Sequence, residues 1–144
     1  MRPLLIAETV MPPPTFVEWL TGAGLLAWSP RSLHVLNSDL TVALAWEPSD
    51  DYRMHESAAV VSDDWVMVGF ATDQGDAEQH LLLSTRTLRP QTIMDYGIDM
   101  PQNSIRPIGG RGQWMTHDAR TGVVRIWQLR EPHTDEVEGQ LTLL

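Results

Sequence analysis

The chain has 144 residues, 42% of them hydrophobic, a formal net charge of -9 and no cysteine. One domain spanning 1-144 is expected, large enough to bury a core, and without cysteine it has no disulfides, thiolate nucleophiles or sulfur-built zinc sites. The negative balance argues against nucleic acid as a partner, because phosphates are met by basic side chains.

No apolar run reaches the roughly 20 residues of a membrane-spanning helix, and the apolar part of MRPLLIAETVMPPP is too short for a secretory signal, so a soluble, cytoplasmic protein is expected. All ten basic residues are arginine, which points to a GC-rich genome. The charge is unevenly spread. Residues 1 to 105 hold 14 acids and 5 arginines, residues 106 to 130 hold 1 acid and 5 arginines, and residues 131 to 144 hold 4 acids.

In chain order, PPPTFVEWLTGAG predicts a short helix over Thr15 to Ala23. Thr15 and Glu18 have capping-box spacing, Gly22 or Gly24 can end the turn, and Phe16, Trp19, Leu20 and Ala23 fall on one face. LLAWSPRSLHVL reads as strand interrupted by a turn at Ser29-Pro30, and SDLTVALAW predicts a second short helix capped near Ser38. Glu47 to Ser57 is expected to be a polar loop.

From Ala58 the pattern is strands and turns, with AAVVS, DWVMVGFAT, EQHLLLS, QTIMDY, GQWMTH and VVRIWQL as candidates. Val66 to Ala71 is apolar on both faces, as in a central strand covered on each side. Asp118 and Gly122 are placed to close a bulged hairpin, and Ser84 to Leu88 repeats that turn without the glycine. Aligning Trp65 with Trp114 and Gly75 with Gly122 gives offsets of 49 and 47, near the period of propeller blades.

Few groups point to chemistry. His34, His55, His80, His117 and His133 lack the spacing of a zinc-binding helix, and no serine lies in a G-x-S-x-G elbow. Asp73, Asp76 and Glu78 do not follow the order of a calcium loop and read as turn residues, so no metal or cofactor is expected. IGGRGQW has no phosphate-loop form. Of six tryptophans, Trp19, Trp46, Trp65, Trp114 and Trp127 read as core anchors; a second reading exposes Trp28 and Trp114 as partner contacts. Asp50, Asp51, Glu56, Asp63 and Asp64 form a dense acidic stretch that, with Asp73, Asp76 and Glu78, offers a negative field to a basic partner.

The run PPTFVEWLTGAG, then WSPRSLHVL, a short helix, a polar loop and DDWVMVGFATDQGDAEQHLLL resembles the SUKH superfamily, mostly bacterial immunity proteins against toxins, over about residues 12 to 96. The chain departs from that family in ending its helix Gly22-Ala23-Gly24 and in offering WMTHDARTGVVRIW where many members have a helix. The resemblance implies an α+β domain with one antiparallel twisted sheet carrying one or two short N-terminal helices, no catalysis, and an acidic surface that binds a protein, for instance a basic toxin domain. Two other readings stay open. One is a blade-like all-β interaction module, a half-propeller closing by oligomerisation. The other is a small enzyme or ligand carrier with a pocket lined by Arg125 and His117.

Overall fold

The structure, a computed structural model, describes residues 1–11, 14, 16–20, 24–29, 31–48, 52–72, 78–100 and 103–130, with the backbone alone at 16, 52–56 and 72. These residues form three antiparallel sheets and no helix. The first sheet is a meander of β1 (Phe16–Leu20), β2 (Gly24–Ser29), β3 (Ser32–Leu36) and β4 (Val42–Trp46). The second is a meander of β5 (Tyr52–Val60), β6 (Trp65–Thr72), β7 (Gln79–Ser84) and β8 (Pro90–Ile93). The third contains β9 (Asn103–Pro107), β10 (Gln113–Asp118) and β11 (Val124–Gln128).

The α+β expectation is therefore overturned. Of the residues read as the first helix, Phe16–Leu20 form β1, which pairs with β2 from Phe16 with Trp28 to Leu20 with Gly24, and residues 21–23 lie outside the described residues. A helix of nine residues has a costly nucleus and few internal bonds, whereas a strand partner satisfies the backbone immediately. FVEWL is also rich in β-formers, and its alternation turns Leu20 into the core and leaves Val17 and Trp19 outside. Thr15, the expected cap, lies outside the described residues.

The second helix fails for a related reason. Asp39, read near a helix start, instead takes the Thr41 N–H on Oδ1 at 3.0 Å, which closes a turn with Leu40 at φ 67° and launches β4. The polar loop proposed for Glu47 to Ser57 is also shortened, since β5 starts at Tyr52.

The six strand candidates from Ala58 onward overlap β5, β6, β7, β8, β10 and β11, although β5 begins at Tyr52 and β8 ends at Ile93. The central-strand reading of Val66 to Ala71 holds. Val66 and Val68 pack with Leu26, Trp28, Leu33 and Val35 of the first sheet, while Met67 packs with Ile105 and Trp114 of the third. The second sheet is thus covered on both faces, in a stack ordered first, second, third. Leu26, Leu33, Met67 and Leu82 are fully buried, and each such side chain contributes about 1.5 to 3 kcal/mol.

The two related turns also hold. Asp118 Oδ1 accepts the N–H groups of Arg120 at 2.9 Å and Thr121 at 3.3 Å, the Gly122 N–H reaches the Asp118 carbonyl at 2.8 Å, and Gly122 has φ 74°. In the β7–β8 turn, Ser84 Oγ accepts from Arg86 N–H at 3.2 Å, Leu88 N–H reaches the Ser84 carbonyl at 2.8 Å, and Leu88 takes the left-handed φ of 54°.

Candidate interaction surface

The first strands of the three sheets converge. The Val60 N–H, at the end of β5, donates to Glu18 Oε2 of β1 at 3.0 Å, and β9 lies beside β5, its Ile105 N–H donating to Ser57 Oγ at 2.6 Å. At the end of this hub is a groove of about 520 Å³ between Glu18 and Trp19 of β1, Val60 of β5 and Asp63 after it, and Gly110 and Arg111 after β9. Burial pushes the Glu18 carboxyl upward, and the Val60 N–H partly offsets the rise.

Pairing registers show what the outermost faces carry. On the first sheet, Leu20, Leu26, Trp28, Leu33 and Val35 point inward. Alternation then puts Trp19, Leu25, Leu36 and Val42 on the other side, beside Val17, Ala27, His34 and Ala45, although Leu36 and Ala27 are themselves buried there. Trp19 is 72% exposed, with Val42 at 58% and Val17 at 53%. On the third sheet, Trp114 and Thr116 are buried, which puts Met115 and His117 on the outer face together with Ile126, 66% exposed, Val124, 54% exposed, and Arg106. Both ends of the stack are therefore apolar at their edges, and Trp19 is an unusual side chain to leave in water.

A second cluster joins the second and third sheets. His80 Nε2 lies 2.8 Å from the Asn103 carbonyl, which can only accept, so Nε2 carries a proton, and Nδ1 pairs with the Tyr96 hydroxyl at 2.5 Å. The Tyr96 oxygen in turn accepts the Trp114 indole N–H at 3.0 Å, and the Trp127 indole donates to Thr116 Oγ1 at 2.9 Å. Glu78 Oε1 is 3.9 Å from His80 Nε2. Burial raises the Glu78 carboxyl to about 7, although a hydrogen bond from Ser57 and the charge of Arg106 pull it back. Burial also drives the Tyr96 hydroxyl upward. Cavities of about 240 and 220 Å³ lie on either side of Met94, Asp95 and Tyr96.

The described residues among those singled out from the sequence do not all lie on the surface. Trp28, expected at a partner surface, is 0% exposed in the first core, and Trp114 is 2% exposed in the second. Trp46, Trp65 and Trp127 pack partly buried against these cores as anchors, whereas Trp19 is the tryptophan left outside both. Strand alternation in FVEWL was the signal for this, hidden by its equal fit to a helical face.

Asp63 and Asp64 are exposed, the former at the groove and the latter 3.2 Å from Arg86, an exposed pair that contributes little to stability. Glu78 is drawn inward beside His80. Asp50, Asp51, Asp73 and Asp76 lie outside the described residues, as does the side chain of Glu56. Neither Arg125 nor His117 lines the three cavities above. Among the described residues no three His, Asp or Glu side chains group so as to hold a metal ion, and no helix is long and apolar enough to cross a membrane.

Compared with known proteins, the chain matches no family model, no curated sequence and no solved structure. The all-β architecture replaces the α+β domain that the SUKH resemblance implied.

Proposed function

We propose that this chain is a non-catalytic interaction module of blade-like sheets, which binds a protein partner through the outer face of its first sheet. The observation that carries this reading is Trp19, 72% exposed in an apolar row on a stack that otherwise hides its tryptophans. Exposed aromatic anchors of this kind supply most of the energy of many interfaces. The buried polar cluster fits a structural role better than a catalytic one, because His80, Tyr96 and Trp114 spend their donors and acceptors on one another and on the Asn103 carbonyl.

The carboxylate excess of residues 1 to 105 lies off this apolar face and favours a partner that is basic around its contact, the chemistry that a toxin domain or any other arginine-rich protein would provide. A photo-crosslinking amino acid at position 19, introduced in host cells, tests the reading against the same label at buried position 28. Labelling at 19 alone, of one protein in stoichiometric amount, is the expected result. Equal or absent crosslinking at the two positions removes the proposal.

A further inference from the structure

We infer that the hub groove holds the C-terminal carboxylate of a partner chain on the main chain of the β9–β10 loop and the guanidinium of Arg111, with a basic residue just upstream set against Glu18 and Asp63. The inference rests on the interaction-module reading and names the part of the partner that is recognised.

The loop Ile108-Gly109-Gly110-Arg111-Gly112 has positive φ at four successive residues, 101°, 78°, 64° and 77° from Gly109 onward. Its far end is pinned. The Gln113 N–H closes a turn on the Gly110 carbonyl at 3.3 Å, the Gly112 N–H reaches the Val61 carbonyl at 2.8 Å, and the Gly112 carbonyl takes the Leu129 N–H at 2.6 Å. The N–H groups of Gly109, Gly110 and Arg111 meet no acceptor among the described residues. Because the two polar groups of a trans peptide point opposite ways, the Arg111 N–H faces away from the strand that takes the Gly110 carbonyl.

Gly109, Gly110 and Arg111 all line the groove, and the two glycines can present only main chain to it. A Cβ on Gly109 would meet nothing within 4 Å, and one on Gly110 only the Val61 carbonyl at 3.8 Å, so a ligand can come down onto these amides. Successive unspent amides in a turn form a concavity suited to an anion. Arg111 adds a guanidinium that has no ion-pair partner among the described residues. It also stands at a turn position that glycine or asparagine fills more easily, so the turn itself does not account for the arginine.

The main-chain floor selects the kind of carboxylate. A side-chain carboxylate, on its flexible stem, reaches an exposed arginine anywhere, whereas a terminal carboxylate is part of the main chain and needs bare main chain to approach. Trp19 and Val60 beside it offer an apolar wall to the last side chain. Glu18, with Oε2 on the Val60 N–H, and Asp63 lie on the remaining sides, and they repel a carboxylate that comes alone. A basic residue just before the terminal one answers them, which agrees with a partner that is basic around its contact.

The test follows the amide NMR resonances of Gly109, Gly110 and Arg111 as N-acetyl-arginyl-leucine is added. These three should shift together and saturate at about 1 mM, the affinity of a small contact. The C-terminal amide of the same dipeptide should bind at least ~10-fold more weakly, as should its analogue ending in aspartate amide, whose only carboxylate is on the side chain. Arg111→Gly, which suits positive φ and keeps the turn, should also weaken binding at least ~10-fold. Asp63→Asn should weaken arginyl-leucine and leave N-acetyl-leucine unweakened.

No shift at these amides up to ~20 mM overturns the inference, as does equal binding of either amide-ended analogue or indifference to Arg111→Gly. If the amides stay silent while position 19 still crosslinks to a protein, the interaction-module reading stands and only the chain-end ligand is discarded. Silence at the amides with no crosslink removes both.

Discussion

Glu78→Gln should flatten the dependence of stability on pH. The Glu78 carboxyl is held beside His80 and above Gly69, where an added Cβ would stand 2.1 Å from Glu78 Oε1. Burial raises it from 4.5 to about 7. The sign follows from proton counting. Between these two values the native carboxyl keeps its proton while the unfolded one releases it, so unfolding gives up a proton and stability falls as pH rises. The stabilisation is complete below the unfolded value and is lost as pH climbs through about 7.

A shift of this size corresponds to about 3 kcal/mol at 1.36 kcal/mol for each pH unit of displacement. Glutamine has the shape of the protonated acid and cannot ionise. The variant should exceed wild type by less than about 1 kcal/mol near pH 5 and by about 3 kcal/mol near pH 8. Urea unfolding at pH 5, 6, 7 and 8 and at one fixed protein concentration measures the difference. A gap that stays within about 0.5 kcal/mol across the range refutes the placement of Glu78 in a dry site.

Two further pairs of substitutions follow from the core and the turns. Trp28→Ala should cost about 3 to 5 kcal/mol, as large core truncations do, while Trp19→Ala should change the unfolding of dilute protein by no more than about 0.5 kcal/mol; equal costs would mean that the first sheet is turned over. Gly24→Ala and Gly122→Ala both place a side chain at positive φ, but the Cβ at Gly24 meets the Leu36 carbonyl at 1.9 Å and that at Gly122 meets nothing within 4 Å. Gly122→Ala should therefore lower stability by about 1 to 2 kcal/mol and Gly24→Ala by clearly more, read from urea midpoints.

Much of the second and third sheets was determined by the sequence itself. Val66 to Ala71 has no polar face, so its strand had to be covered twice, and it is. Asp118 with Gly122, and Ser84 with Leu88, carry their turns in local hydrogen bonds that need no distant partner. β9 was missed because NSIRP contains a proline and lacks an apolar run. Tertiary structure decided the N-terminal third. FVEWLTGAG and SDLTVALAW fit a helical stripe and an alternating strand about equally well, and such short segments take whichever form finds a backbone partner. Once β1 paired with β2, the period changed from 3.6 to 2, and that change carried Trp19 from the core to the surface. The meeting of Glu78, His80, Tyr96 and Trp114 was also beyond the sequence, since it joins residues on three separate segments through the packing of one sheet on another.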